Sequence, residues 1–356
     1  MKRIRDYGVT IGSLETGEKN KITDVKGIRV GHVTLKQGDI NTGVTAVLPH
    51  EGNIFKEKLF GAVHVINGFG KTIGTIQLEE LGTIETPIML TNTLNVGIVS
   101  HGLVKYMLSQ NSDIGVETGT INPIVGECND GFLNDIRGLH VKEEHVLESI
   151  ENAKEDFEEG AVGAGTGMKC LGYKGGIGSS SRKIKIKDEE YVIGALVLSN
   201  FGLKDDFILN SKDIKTMLKE NRNNINLNNT EYVMKDLEKG SIMIILATDA
   251  PLLPRQLKRV AKRSAVGIVR VGSYFGNGSG DIAIAFSTAN KINHYEERVT
   301  NEIKVINENY IDYFFRGAAE AVEEAVLNSL VSSDTTIGRK GNKAQGLKEI
   351  LNSWQR

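Results

Sequence analysis

The chain has 356 residues, 43 Lys and Arg against 45 Asp and Glu, a formal charge of −2, and 40% hydrophobic residues. That balance describes an ordinary globular chain, not a disordered one, and it argues against nucleic acid as the main partner, which needs clustered basic residues. No apolar stretch approaches the roughly 20 residues of a membrane helix, and two cysteines, Cys128 and Cys170, are too few for a disulfide framework.

In chain order, apolar runs of strand length come first, at residues 43–48 (GVTAVL) and 62–66 (AVHVI). The spacing of Val96, Val99, Leu103, Tyr106 and Met107 predicts a helix over 95–108, and an acidic amphipathic helix follows over 143–159. Residues 160–182 (GAVGAGTGMKCLGYKGGIGSSSR) read as glycine-permitted turns packed against neighbouring backbone. A strand is expected over 192–198 (VIGALVL). Residues 210–240 are polar, with an Asn-rich run at 221–229, and read as a solvated excursion between packed regions. Beyond it come a strand over 242–247 (IMIILA), a helix over 254–266, a strand over 281–287 (DIAIAFS) and a helix over 311–330. In 281–287 the large residues Ile282, Ile284 and Phe286 alternate with Ala283, Ala285 and Ser287, so something packs closely on the small face. Strands interleaved with helices predict a layered α/β fold. The basic start, Met1-Lys2-Arg3, leads into no apolar core, so no signal peptide is expected and the predicted compartment is the cytoplasm.

Several motifs fail on spacing. Gly70-Lys71-Thr72 resembles the end of a phosphate loop, but Val65 stands where its first glycine belongs. Asn277 and Asp281 replace the outer glycines of a nucleophile elbow around Ser279. His140 and His145, with Glu143 and Glu144 between them, are five residues apart and do not share a helical face, so no metal site is predicted. His32, His50, His64, His101 and His294 are scattered. The basic residues Arg255, Lys258, Arg259, Lys262 and Arg263 read as the solvated face of a helix.

One junction survives. Ser241 follows Gly240 directly, between the polar excursion and an apolar strand. A serine hydroxyl is a poor nucleophile without a base. Breaking the Gly240–Ser241 bond would give Ser241 a free α-amino group, with an ordinary pKa of about 7.7–8.0, as a base within the same residue. No histidine is needed for that chemistry, in keeping with a chain that has no credible Ser/His/Asp set.

Ordered blocks along most of the chain then carry a family resemblance. They are residues 22–35 (ITDVKGIRVGHVTL), 42–49 (TGVTAVLP), 85–99 (ETPIMLTNTLNVGIV), 125–138 (VGECNDGFLNDIRG), 160–168 (GAVGAGTGM) and 175–182 (GGIGSSSR). They continue at 194–202 (GALVLSNFG), 240–259 (GSIMIILATDAPLLPRQLKR) and 276–290 (GNGSGDIAIAFSTAN). The sequence resembles the aminopeptidase/D-esterase family of DmpA type, which includes β-peptidyl aminopeptidases. The resemblance implies an αββα four-layer sandwich, similar to N-terminal-nucleophile hydrolases but with different connectivity. It implies one catalytic domain, 1–356, that cuts itself into 1–240 and 241–356 and assembles as a homotetramer of cleaved pairs. It also implies cofactor-free release of N-terminal amino acids from short peptides, amides or esters through an acyl-enzyme.

Carried over by position, Ser241 is the nucleophile and Asn200 the amide that stabilises the oxyanion. Ser279 and Asp281 are the pair that orients Ser241 and its amine, and Glu127 receives the substrate ammonium. The block at 127–135 has Phe132 where some members have a tyrosine, so a phenol is missing there. Two other classes stay open: an acyltransferase of related architecture, of which the ornithine acetyltransferases use threonine, and a family member that folds without cleaving and acts as a scaffold.

Overall fold

The structure, a computed structural model, describes residues 2–209, 212–213 and 237–354. Most of the predicted polar excursion, 210–240, therefore lies outside the described residues. The first half of the chain gives β1 (Arg29–Gln37), β2 (Ile40–Leu48), β3 (Glu57–Gly68), helix α1 (Thr75–Leu81), β4 (Thr83–Ile84) and β5 (Ile88–Asn92). Next come α2 (Val96–Gln110), β6 (Ile124–Cys128), α3 (Glu143–Glu151), β7 (Gly176–Ile186) and β8 (Glu189–Asn200). The last part gives β9 (Lys239–Thr248), α4 (Pro254–Arg270), β10 (Gly278–Asn293), α5 (Ile311–Val331) and α6 (Leu347–Trp354).

Alternation in the strands decides the layering. In β9, Met243, Ile245 and Ala247 are buried on one side and Ile242, Ile244 and Leu246 on the other, so this strand needs cover on both faces. It lies inside a six-stranded sheet of order β4-β3-β10-β9-β8-β7, while β1-β2-β5-β6 form a four-stranded sheet. Its neighbour β10 runs parallel to it and β8 antiparallel. One cluster of buried side chains runs from α2 (Val99, Leu103) and α3 (Val146, Ile150) through the small sheet (Val44, Leu90) to Met243, Ile245 and Ile284 of the large one. A second joins Ile244, Leu246, Ala283 and Ala285 to α4 (Leu257, Val260) and α5 (Phe314, Ala321). The result is helix, sheet, sheet, helix, the predicted αββα order. The small face of 281–287 is thus covered by helices, α4 packing directly on β10.

Several strands extend beyond their expected bounds, the run at 281–287 most of all, over Gly278–Asn293, and two further differences have tertiary reasons. The helix predicted over 143–159 stops at Glu151, because the Lys154 backbone exchanges two hydrogen bonds with Val30 at the edge of β1, at 3.0 and 3.1 Å. The Gly-rich stretch is turn-like only in its first part, and from Gly176 it is strand β7. Its small residues let α5 close on the sheet: a Cβ on Gly178 would lie 2.0 Å from the Ala325 carbonyl oxygen.

Candidate active site

Gly240 and Ser241 are the second and third residues of β9. Ladder pairing sets Ser241 opposite Asn200 of β8 and beside Gly280 of β10, and Gly240 beside Ser279. Only glycine fits at 240. Its φ is 155°, and a Cβ there would lie 2.2 Å from the Asn200 carbonyl oxygen and 2.8 Å from the Phe201 Cα. Ser241 is buried, and its hydroxyl donates to the Gly240 carbonyl oxygen, the carbonyl of the bond predicted to break.

Ser241 shares its side of the strand with Met243 and Ile245, so its side chain faces the space between the sheets. There it lines a cavity of about 390 Å³ together with Asn200, Glu127, Thr93, Lys71 and Lys169, with Phe69 and Phe132 among its apolar walls. Asn200 is held at both ends of its amide. Its Oδ1 accepts from the Lys169 N–H at 2.9 Å, and its Nδ2 donates to the Asn129 carbonyl at 2.9 Å. An amide nitrogen carries two N–H bonds, so one stays available to a substrate oxygen. Glu127, at the end of β6, is 2% exposed. Its Oε1 accepts from the Lys71 N–H at 2.8 Å and its Oε2 from the Thr93 hydroxyl. Three of the five predicted residues, Ser241, Asn200 and Glu127, therefore meet at one cavity although they come from both sheets.

Ser279 and Asp281 do not line it. They stand beside Gly240 and Ile242 on the helix-facing side of the sheet, behind the strand that carries Ser241. The Ser279 hydroxyl donates to Asp281 Oδ1 at 2.8 Å, and both residues are buried. Asp281 Oδ2 is buried with no hydrogen-bond partner among the described residues. Burial pushes the Asp281 carboxyl up to about 7; the Ser279 hydrogen bond opposes this and the Glu238 charge adds to it. A carboxyl poised there exchanges protons near neutrality.

Comparison with known proteins decides the family. The sequence profile of Peptidase family S58 matches residues 20–344. The chain belongs to Peptidase family S58. Among S58-like relatives, β-peptidyl aminopeptidase BapA of Sphingosinicella microcystinivorans is 37% identical over 99% of this chain and 93% of its own length. Of solved structures, the PH0078 protein from Pyrococcus horikoshii OT3 superposes with a TM-score of 0.91 at 51% identity, covering 100% of this chain and 99% of that one. The L-aminopeptidase D-Ala-esterase/amidase of Ochrobactrum anthropi, described as a prototype of the serine aminopeptidases and a new variant of the Ntn hydrolase fold, gives 0.87 at 33% identity, over 100% and 99% of the two chains. The S58 chain is accordingly a hydrolase of the serine aminopeptidase/amidase class with that variant fold.

Four residues near the S58 site escaped the sequence reading. Lys71 belongs to the rejected phosphate-loop match, yet its backbone N–H fixes Glu127. The Thr93 hydroxyl also fixes Glu127, and the Lys169 backbone N–H fixes Asn200. Glu238 is 1% exposed and accepts from the Ser273 hydroxyl at 2.6 Å and from the N–H groups of Tyr274 and Gly276, each at 3.1 Å. It ties the residues before Gly240 to the loop that leads into Ser279. No spacing in the sequence marks any of these contacts, since each joins segments far apart in the chain. Elsewhere, His145 Nδ1 accepts from the Lys142 N–H at 3.0 Å, and His140 lies 3.2 Å from Asp135. The basic face of α4 forms ion pairs, Arg255 and Arg259 with Glu308 and Lys258 with Glu79.

Proposed function

We propose that the chain cuts itself between Gly240 and Ser241 and then works as a serine aminopeptidase/amidase on short peptides, amides or esters with a free N-terminal amine. The observation that carries this reading is the Ser241 hydroxyl set against the Gly240 carbonyl inside a cradle that only glycine fits. In the first step Ser241 Oγ adds to the Gly240 carbonyl carbon through a five-membered ring. The C–N bond breaks, the hydroxyl proton passes to the departing Ser241 nitrogen, and water hydrolyses the resulting ester to leave a Gly240 carboxylate.

The freed Ser241 amine, ordinarily titrating near 7.7–8.0, is then the base for its own hydroxyl. It takes the proton as Oγ attacks the substrate carbonyl and returns it to the leaving amine. The Asn200 amide holds the tetrahedral oxyanion, a contact worth about 3 kcal/mol in comparable sites. Glu127 pairs with the substrate ammonium, which makes the enzyme an aminopeptidase. Ser279 and Asp281 lie behind the new N-terminus, where a carboxyl near neutrality can order the amine and exchange protons with it. The relatives named β-peptidyl aminopeptidase and L-aminopeptidase D-Ala-esterase/amidase support this substrate class.

The same reading takes the working form as a homotetramer of cleaved pairs in the cytoplasm. Two buried free thiols, Cys128 and Cys170, agree with a reducing compartment, and no described helix is long and apolar enough to cross a membrane.

Denaturing electrophoresis of purified protein tests the proposal. Two bands are expected, the smaller beginning at Ser241, together with hydrolysis of amino-acid p-nitroanilides. Ser241→Ala should remain one band and lose turnover. A wild-type enzyme that turns over substrate while staying a single uncut chain overturns the mechanism.

A further inference from the structure

Each of the two polar anchors in the cavity is held by the backbone of a lysine. The Lys71 N–H holds Glu127, and the Lys169 N–H holds Asn200. The side chains of both lysines rest on aromatic rings: Lys71 Nζ is 4.2 Å from the centre of the Phe69 ring, and Lys169 Nζ 4.6 Å from that of Phe132. An ammonium on a ring keeps its outward N–H donors. Neither has a carboxylate partner among the described residues, although Lys71 Nζ lies 3.4 Å from the Phe69 carbonyl oxygen. Lys239 also lines the cavity. Among the described lining residues one anion, Glu127, whose two oxygens are already engaged, stands against these three cations.

A substrate that brings only an ammonium satisfies Glu127 and leaves the cationic excess unmatched. We infer that the preferred substrates are zwitterionic dipeptides, and that Lys169 receives the free carboxylate of the leaving amino acid. This rests on the aminopeptidase reading of Ser241, Asn200 and Glu127. Lys169, not Lys71, is assigned because its backbone is tied to Asn200, where the scissile carbonyl oxygen is placed. The carboxylate of a dipeptide lies one residue beyond that carbonyl, a span of about 3.5 Å that a lysine side chain covers. Lys71 is tied to the opposite end of the substrate, at Glu127. Phe132, the ring without a phenol, thereby acquires a role as the seat of the Lys169 ammonium.

The test compares alanylalanine and β-alanylalanine, each against its own C-terminal amide, on processed enzyme. The kcat/KM ratio of acid to amide should be about ten or more, the value of one charge-assisted hydrogen bond. It should collapse to about one in Lys169→Met and be largely kept in Lys169→Arg. A wild-type ratio near one, or a ratio that Lys169→Met leaves in place, overturns the inference. Calorimetric binding of the same pairs to Ser241→Ala separates this from failure of the hydrolase reading. Tighter binding of the acid, lost when Lys169→Met is added, supports the carboxylate site even if the wild type turns over neither compound; equal binding of acid and amide refutes it.

Discussion

Two buried charged clusters lie on the helix-facing side of the same six-stranded sheet, and they are built in opposite ways. At the β7 edge, Arg182 is fully buried and reaches Glu324 at 2.7 Å and Glu320 at 3.3 Å. It also donates to the carbonyls of Ser181, Ile11 and Glu320. Glu324 takes further bonds from Arg5 and Asn20, and Glu320 from the N–H groups of Ser13 and Leu14. Burial pushes the Glu324 carboxyl up, but Arg5, Arg182 and Asn20 outweigh it and hold it below its ordinary range. At the centre of the sheet, Asp281 has, among the described residues, one hydroxyl partner and one oxygen without a hydrogen bond. A buried carboxylate short of donors is unfavourable in a fold, and its raised pKa is of the kind found where a group must exchange protons near neutrality. Complete pairing marks the cluster that holds the N-terminal segment to α5, and incomplete pairing marks the one beside the Gly240–Ser241 bond.

The largest effect comes from breaking the complete cluster. Arg182→Ala leaves Glu320 and Glu324 buried with a reduced set of donors and should lower stability by about 3–5 kcal/mol. Urea unfolding monitored by circular dichroism measures it. A loss below about 1 kcal/mol would remove the contrast between the two clusters.

The Arg182 cluster was not visible in the sequence, and Ser279 and Asp281 were paired there only through the family resemblance. The strand over 242–247 was legible, and so was the two-faced run 281–287, because apolar alternation is local information. Ser241, Asn200 and Glu127 were placed through motif blocks, and the cavity in which they meet needs the pairing of β8 with β9 and the stacking of one sheet on the other. The strand at 176–186 hid behind glycines and serines, whose small size serves the approach of α5. Helix α3 outran its real length in the sequence reading because nothing near residue 154 reveals that Val30 will claim its backbone. Arg182 and Glu324 are 142 residues apart. Packing and register carry these facts, and composition does not.

A smaller effect sharpens the incomplete side. With its carboxyl at about 7 instead of the ordinary 3.8, Asp281 keeps a proton in the folded chain over a range where the unfolded chain has lost it. The raised value favours folding most fully below the unfolded pKa, and that advantage disappears as pH rises through about 7. Measured in a Ser241→Ala background, so that the chain stays whole, stability should fall between pH 5 and 8 by about 2–3 kcal/mol more than in Asp281→Asn, which cannot ionise. The Asn variant should therefore gain on its parent as the solution becomes alkaline. Parallel pH profiles for the two proteins would mean that Asp281 is better solvated than its orphaned oxygen implies.

The smallest effect asks whether satisfaction follows the region or the residue. Glu238 stands just before the strand that carries Gly240 and Ser241, yet both its carboxylate oxygens are engaged, as are those of Glu324. Glu238→Ala strips the acceptor from one hydroxyl and two N–H groups and should lower stability by about 1–2 kcal/mol. Glu238→Gln should lose less than about 0.5 kcal/mol, because an amide can serve the same three partners. Its oxygen can take the Oε2 position and accept from Tyr274 and Gly276, while its NH2 donates to the Ser273 oxygen, whose hydroxyl can rotate to accept. If alanine and glutamine are equally damaging, the negative charge itself and not the hydrogen bonding holds the segment before Gly240, and the division between folding and reacting carboxylates would have to be drawn by charge instead of by pairing.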